Sequence, residues 1–146
     1  MKNPESGQRT RRDSRGFTLI EMLVVLVILG LLAGVVGPNV LNSLGGAKSK
    51  TAKVQIKDLE QAAEMYKLDV GRYPNTSDGL RALVEKPGGV DGWNGPYLKS
   101  GLPKDPWKQD YVYANPGTRG GAIDIYSLGL DGSPGGDGEN ADVGNW

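Results

Sequence analysis

The sequence predicts an α+β fold in which one long N-terminal α-helix packs on a small antiparallel sheet. Three observations predict it. An apolar run from Phe17 to Gly37 passes directly into a polar stretch that keeps helical spacing to about Val70. Two short alternating segments, Tyr111–Tyr113 and Ala122–Ser127, flank a turn-rich linker. The 76 residues from Gly71 to Trp146 hold 16 of the 23 glycines, which suits short elements joined by turns.

Residues 1–16 form a basic leader, with Lys2, Arg9, Arg11, Arg12 and Arg15 against Glu5 and Asp13. The apolar run behind it reaches about 20 residues, enough for a helix to cross a hydrocarbon core of roughly 30 Å. The positive-inside rule then places the N-terminus in the cytoplasm and everything after Pro38 outside. A secretory signal peptide would stop after an apolar core of about 7–15 residues and a small-x-small site. Here the core is longer and runs into more helix. Arg11-Arg12 are followed by Asp13-Ser14 and not by apolar residues, which weighs against a twin-arginine signal.

Glu21 is the only charge between Phe17 and Ala47. A carboxylate at membrane depth costs about 2.5–3.5 kcal/mol and usually has a partner. The nearest basic residues in sequence are Arg15 and Lys48. A cut after Gly16 would give Phe17 a new ammonium, with Glu21 at i+4 on the same face and in the dipole-favoured first turn. The blander alternative is a carboxylate that snorkels to the interface.

Residues 39–70 continue the helix in amphipathic form. Ala52, Ile56, Leu59, Ala63, Tyr66 and Val70 fall on one apolar stripe, and the lysines and acids take the other faces. Gly34, Gly37 and Pro38 interrupt the pattern, and Gly45-Gly46 is a second soft point. Pro38 reads as a kink. Beyond Gly71, Asp78–Glu85 reads as a short helix with Leu80, Leu83 and Val84 inward. Turns around Trp93–Tyr97 and Pro103–Trp107 carry aromatic anchors, and 115–121 suits a hairpin.

So small a domain often needs a staple, and the chain has no cysteine to make a disulfide. Packing on the helix, neighbouring subunits or a metal remain. The stretch 128–142 gathers oxygen donors on a flexible backbone, and no histidine exists in the chain, so zinc and copper fit poorly. Oxygen-only ligands suit Ca²⁺. From Asp131 the spacing imitates an EF-hand loop only in part, without flanking helices. A solvated acidic turn is the plain alternative.

At Gly16-Phe17-Thr18-Leu19-Ile20-Glu21 the chain resembles the class III signal of the type IV pilin-like superfamily. Gly71-Arg72-Tyr73-Pro74, Asp124-Ile125-Tyr126-Ser127 and the ending Leu128–Gly132 … Ala141–Trp146 resemble the major pseudopilins of bacterial type II secretion. The resemblance implies a type IV pilin-like fold with a C-terminal calcium-binding loop at 128–142. It implies cleavage between Gly16 and Phe17 by a prepilin peptidase and N-methylation of Phe17. Glu21 would pair with the Phe17 amine of an adjacent subunit, and the helix near Pro38 would yield on assembly. One Ca²⁺ would be held by Asp131 and Asp137 with the carbonyls of Leu128 and Ser133, and by Glu139, Asn140 or Asp142 to complete the shell.

The resemblance also implies a non-enzymatic filament subunit, anchored once in the inner membrane with residues 71–146 in the periplasm. It would polymerise with itself and with minor pseudopilins, assembled by an inner-membrane platform and a cytoplasmic ATPase, and act with an outer-membrane secretin to export folded proteins. A type IV pilus or competence pilin, and a monomeric calcium-binding single-pass sensor, are the competing readings. The leader holds five of 17 basic and two of 17 acidic side chains, so the remainder carries 12 and 15, net −3. That balance gives no electrostatic case for nucleic acid. Without His or Cys the common hydrolytic triads are unavailable.

Overall fold

The computed structural model describes residues 16–146, and for 38–44 the backbone alone. The basic leader 1–15 lies outside the described residues. The chain divides into two compact units, Met1–Pro38 and Asn39–Trp146, and helix α1, Leu19–Val70, contributes to both.

In the first unit, Leu19–Gly37 has a mean hydropathy of 2.9 and buries none of its residues within the protein. Nineteen residues at about 1.5 Å each come close to the thickness of a bilayer core. Helical backbone continues through Gly34, Gly37 and Pro38.

In the second unit the predicted stripe is the core. Ala52, Ile56, Leu59, Ala63 and Tyr66 are buried, joined by Ala62, while Val70 packs at the margin. Each large side chain among them contributes about 1.5–3 kcal/mol by burial. Gly71, at φ +86°, ends the helix in the left-handed conformation that lacks a penalty only for glycine.

The segment 78–85 forms a 3-10 helix over Gly79–Leu83 rather than an α-helix. Leu80, Ala82 and Leu83 face the core and Val84 is only half-buried, which corrects the expected inward set. The 3-10 form is the helix used for pieces as short as these five residues. Trp93, Tyr97 and Trp107 pack on the core from their turns, and Trp93 Nε1 donates to the Ala82 carbonyl at 2.8 Å.

Strands β1 (Val112–Ala114) and β2 (Asp124–Ser127) pair antiparallel, with Tyr113 opposite Ile125. Asp124, buried in the hairpin, accepts from the Thr118 N–H and hydroxyl at 2.8 and 3.0 Å, which fixes the linker. A third strand, β3 (Val143–Gly144), adds to the far side of β2 and was not expected.

Polar bonds tie the 71–146 region to the last third of α1. Tyr111 Oη donates to Gln55 Oε1 at 2.5 Å, Asn145 Nδ2 to Glu60 Oε1 at 2.8 Å, and Tyr97 Oη to Asp69 Oδ2 at 2.8 Å. Tyr73 Oη also donates to Glu64 Oε1. Burial pushes the Tyr111 and Tyr113 phenols up, reinforced at Tyr111 by the nearby Asp105.

Candidate functional site

Two places bear the residues singled out by sequence. The first is the junction ahead of α1. Thr18 immediately precedes the helix and Glu21 is its third residue. Glu21 N–H donates to Thr18 Oγ1 at 3.3 Å. In return, Glu21 Oε2 accepts from the Thr18 N–H at 2.8 Å and from its hydroxyl at 3.1 Å. This reciprocal pair is a capping box, which satisfies helix N–H groups that otherwise have no partner. Its signature, Thr18-x-x-Glu21, is plain in the sequence, where only the charge draws attention to the glutamate.

The carboxylate therefore has a partner inside its own chain. Both Thr18 bonds fall on Oε2, and Oε1 takes neither. Phe17 is 80% exposed, so the Gly16–Phe17 bond is accessible. A side chain at Gly16 would meet nothing within 4 Å, and its φ does not demand glycine. Nothing among the described residues requires glycine there. Pro38 stays within the helical span of α1.

The second place is the loop after β2. Ser127 is fully buried; its hydroxyl donates to Asp105 Oδ2 at 2.5 Å and accepts the Gly129 N–H at 3.1 Å. Asp105, 3% exposed, also receives the N–H groups of Trp107 at 3.0 Å and Gln109 at 2.7 Å on Oδ1. Gln109 Nε2 then donates to the carbonyls of Gly129 at 2.9 Å and Leu130 at 3.1 Å. The 105–109 turn thus holds the entrance of the loop in place. Sequence reasoning missed this clamp, because Pro103–Trp107 reads as a turn whose anchor is its aromatic residue, and nothing local marks Asp105.

The loop closes where the Leu130 N–H reaches the Glu139 carbonyl at 2.9 Å. Gly129 and Gly136 have left-handed φ of +70° and +85°. A side chain at Gly129 would sit 2.6 Å from the Glu139 carbonyl oxygen, and one at Gly136 2.7 Å from that of Asn140. Backbone oxygens are packed into space that only bare glycine leaves.

The expected ligands are distributed around this frame. Asp131 Oδ1 accepts the Ser133 N–H at 3.0 Å, and both residues are exposed. Asp137 precedes the 3-10 turn Gly138–Asn140 without capping it by its side chain. Asp142 Oδ2 lies 3.5 Å from Arg119 Nη1, while its Oδ1 is buried without a hydrogen-bond partner. Arg119 in turn stacks on Trp146 at 4.1 Å and Tyr126 at 4.9 Å. Glu139 turns its carboxylate toward α1, with Oε1 3.1 Å from Lys48 Nζ.

Among the described residues no three acidic, histidine or cysteine side chains converge as a metal cluster. A cation here would have to draw on carbonyls and on Ser or Asn oxygens as well as carboxylates. That mixed donor set fits Ca²⁺, which takes six to eight oxygens of any of these kinds. The unsatisfied Asp142 Oδ1 is the sort of buried acceptor that a bound ion would satisfy.

Comparison with known proteins covers both places. A family model described as "Type II secretion system (T2SS), protein G" matches residues 39–146, and one described as "Prokaryotic N-terminal methylation motif" matches 11–37. The type II secretion system core protein G of Vibrio cholerae is 50% identical over 138 residues, covering 92% of this chain and 93% of the relative. That of Pseudomonas aeruginosa is 51% identical over 140 residues, covering 93% and 97%. The crystal structure of the major pseudopilin from the type 2 secretion system of enterohaemorrhagic Escherichia coli superposes with a TM-score of 0.63 at 39% identity, covering 71% of this chain and 87% of that one.

Proposed function

The chain belongs to the type II secretion system protein G family, the major pseudopilins, and from that premise we propose how its two sites serve a filament. The protein is a structural subunit and not an enzyme. The observation that carries the reading is the union, in one chain, of a methylation motif over 11–37 and a protein G module over 39–146.

In the proposed cycle the subunit waits in the inner membrane, held by Leu19–Gly37, with the folded module in the periplasm. A prepilin peptidase cuts the accessible Gly16–Phe17 bond and methylates the Phe17 amine. The new ammonium is the cation that Glu21 lacks in the uncut chain. Oε2 stays with Thr18, and Oε1 is left to receive the amine of a neighbouring subunit, so that adding a subunit removes the cost of a charge in an apolar fibre core. The fully exposed apolar half of α1 then finds its cover in other copies of itself. Minor pseudopilins, the membrane platform, the ATPase, the secretin and the exported proteins are the partners of that machine. Electron microscopy of cells overproducing the chain should reveal long fibres, and membranes filled with protein but bare of fibres would overturn the reading.

For the second site we propose one Ca²⁺ bound by Asp131, Asp137 and the carbonyls of Leu128 and Ser133, with Asn140 or Asp142 completing the shell. When bound, the ion joins the two ends of the glycine-rich loop and does what a disulfide would do. The Asp105–Ser127–Gln109 clamp holds the loop entrance ready for it. Calcium at ten times its Kd stabilises by about 1.4 kcal/mol. Chelation of the full chain in detergent should therefore lower the melting midpoint by about 6–8 °C. An unchanged midpoint, with no calcium uptake by calorimetry, would sink the site.

A further inference from the structure

We propose that Gly45 is a seat for Glu139, and that this contact latches the 128–142 loop to α1 so that the two open and close together. Double glycine in a helix ordinarily marks a weak turn, since each glycine costs about 1 kcal/mol relative to alanine. The two glycines here are not alike. A Cβ built on Gly45 would lie 2.6 Å from Glu139 Cγ and 3.3 Å from Cδ, whereas one on Gly46 would meet nothing within 4 Å. Gly45 is buried and Gly46 exposed. The Glu139 side chain therefore lies across the helix surface that Gly45 leaves bare.

Two further contacts make this a coupling and not a chance approach. One helical turn beyond the seat, Lys48 Nζ lies 3.1 Å from Glu139 Oε1, an ion pair by distance without hydrogen-bond alignment, with both side chains about a third exposed. On the other side, the Glu139 carbonyl receives the Leu130 N–H that closes the loop. One residue thus holds the helix by its side chain and the loop by its backbone. Loss of helical geometry at Gly45 withdraws the seat, and opening of the loop withdraws the side chain. The weak turn of α1 is braced by a segment more than 80 residues away in sequence.

Melting of the full chain in detergent, with substitutions in two backgrounds, tests the latch. Gly46→Ala should raise the midpoint by about 5 °C in both wild type and Glu139→Ala, as propensity alone dictates. Gly45→Ala should give no rise, or a fall, in wild type and a rise of about 5 °C in Glu139→Ala. Amide exchange supplies the second readout: Glu139→Ala should speed exchange about tenfold both at residues 47–50 and at Leu130, leaving Ile125 unchanged. An equal rise from Gly45→Ala in both backgrounds, or faster exchange confined to the loop, overturns the proposal.

Discussion

Replacing Glu21 with alanine is expected to leave a protein that enters the membrane and is cut after Gly16, yet builds no filaments and exports nothing. Insertion should not suffer, because the substitution removes the one charge in the Leu19–Gly37 segment. Assembly should fail because the neighbour's Phe17 ammonium finds no anion in the fibre core. Two roles must be told apart, since Glu21 also closes the capping box with Thr18. Glu21→Gln separates them: glutamine serves a capping box as well as glutamate does, but it cannot neutralise an ammonium. Glu21→Gln should therefore fail as completely as alanine. A Gly16→Leu protein is expected to give the opposite pattern, staying full length with its fold intact, because no atom among the described residues crowds Gly16. Mass spectrometry of the N-terminus and microscopy of sheared fibres read both. Normal fibres from Glu21→Gln would end the electrostatic account and leave only the cap.

Asp105→Ala is expected to be strongly damaging to the 39–146 module. It leaves the buried Ser127 hydroxyl and the N–H groups of Trp107 and Gln109 without their acceptor. The unpaired buried Ser127 hydroxyl costs about 1–3 kcal/mol and the two half-buried N–H groups less, about 3 kcal/mol in sum. The midpoint should fall by more than about 10 °C. Asp105→Asn keeps one carbonyl oxygen for the two N–H groups and should lose less than half as much. Equal losses for the two variants would show that shape, and not the set of acceptors, is what the site needs.

Much of this architecture is legible in the sequence, for identifiable reasons. Helix α1 is long, so its stripe from Ala52 to Val70 repeats often enough to declare a period. The β1–β2 hairpin alternates and is bounded by Asn115-Pro116-Gly117. Strand β3 escapes notice because Val143–Gly144 is two residues long and has no alternation to display. The 3-10 geometry at Gly79–Leu83 escapes because a segment that short fits either helical period. Asp105 escapes for a different reason: its burial is set by Ser127, 22 residues on, and no local pattern reports that. Of the junction, the charge is obvious and the cap is overlooked. In the loop the donor types are visible, but the turn of Glu139 toward Lys48 depends on where Gly45 lies in space.

Four polar bonds join the 71–146 region to α1, at Gln55, Glu60, Glu64 and Asp69, four or five residues apart. That spacing has a mechanical meaning for a secretion fibre. A pull along the helix axis loads all four fastenings in shear. The module is built to resist shear, and traction applied to the anchor should stretch the chain near Pro38 before it strips the domain from its shaft.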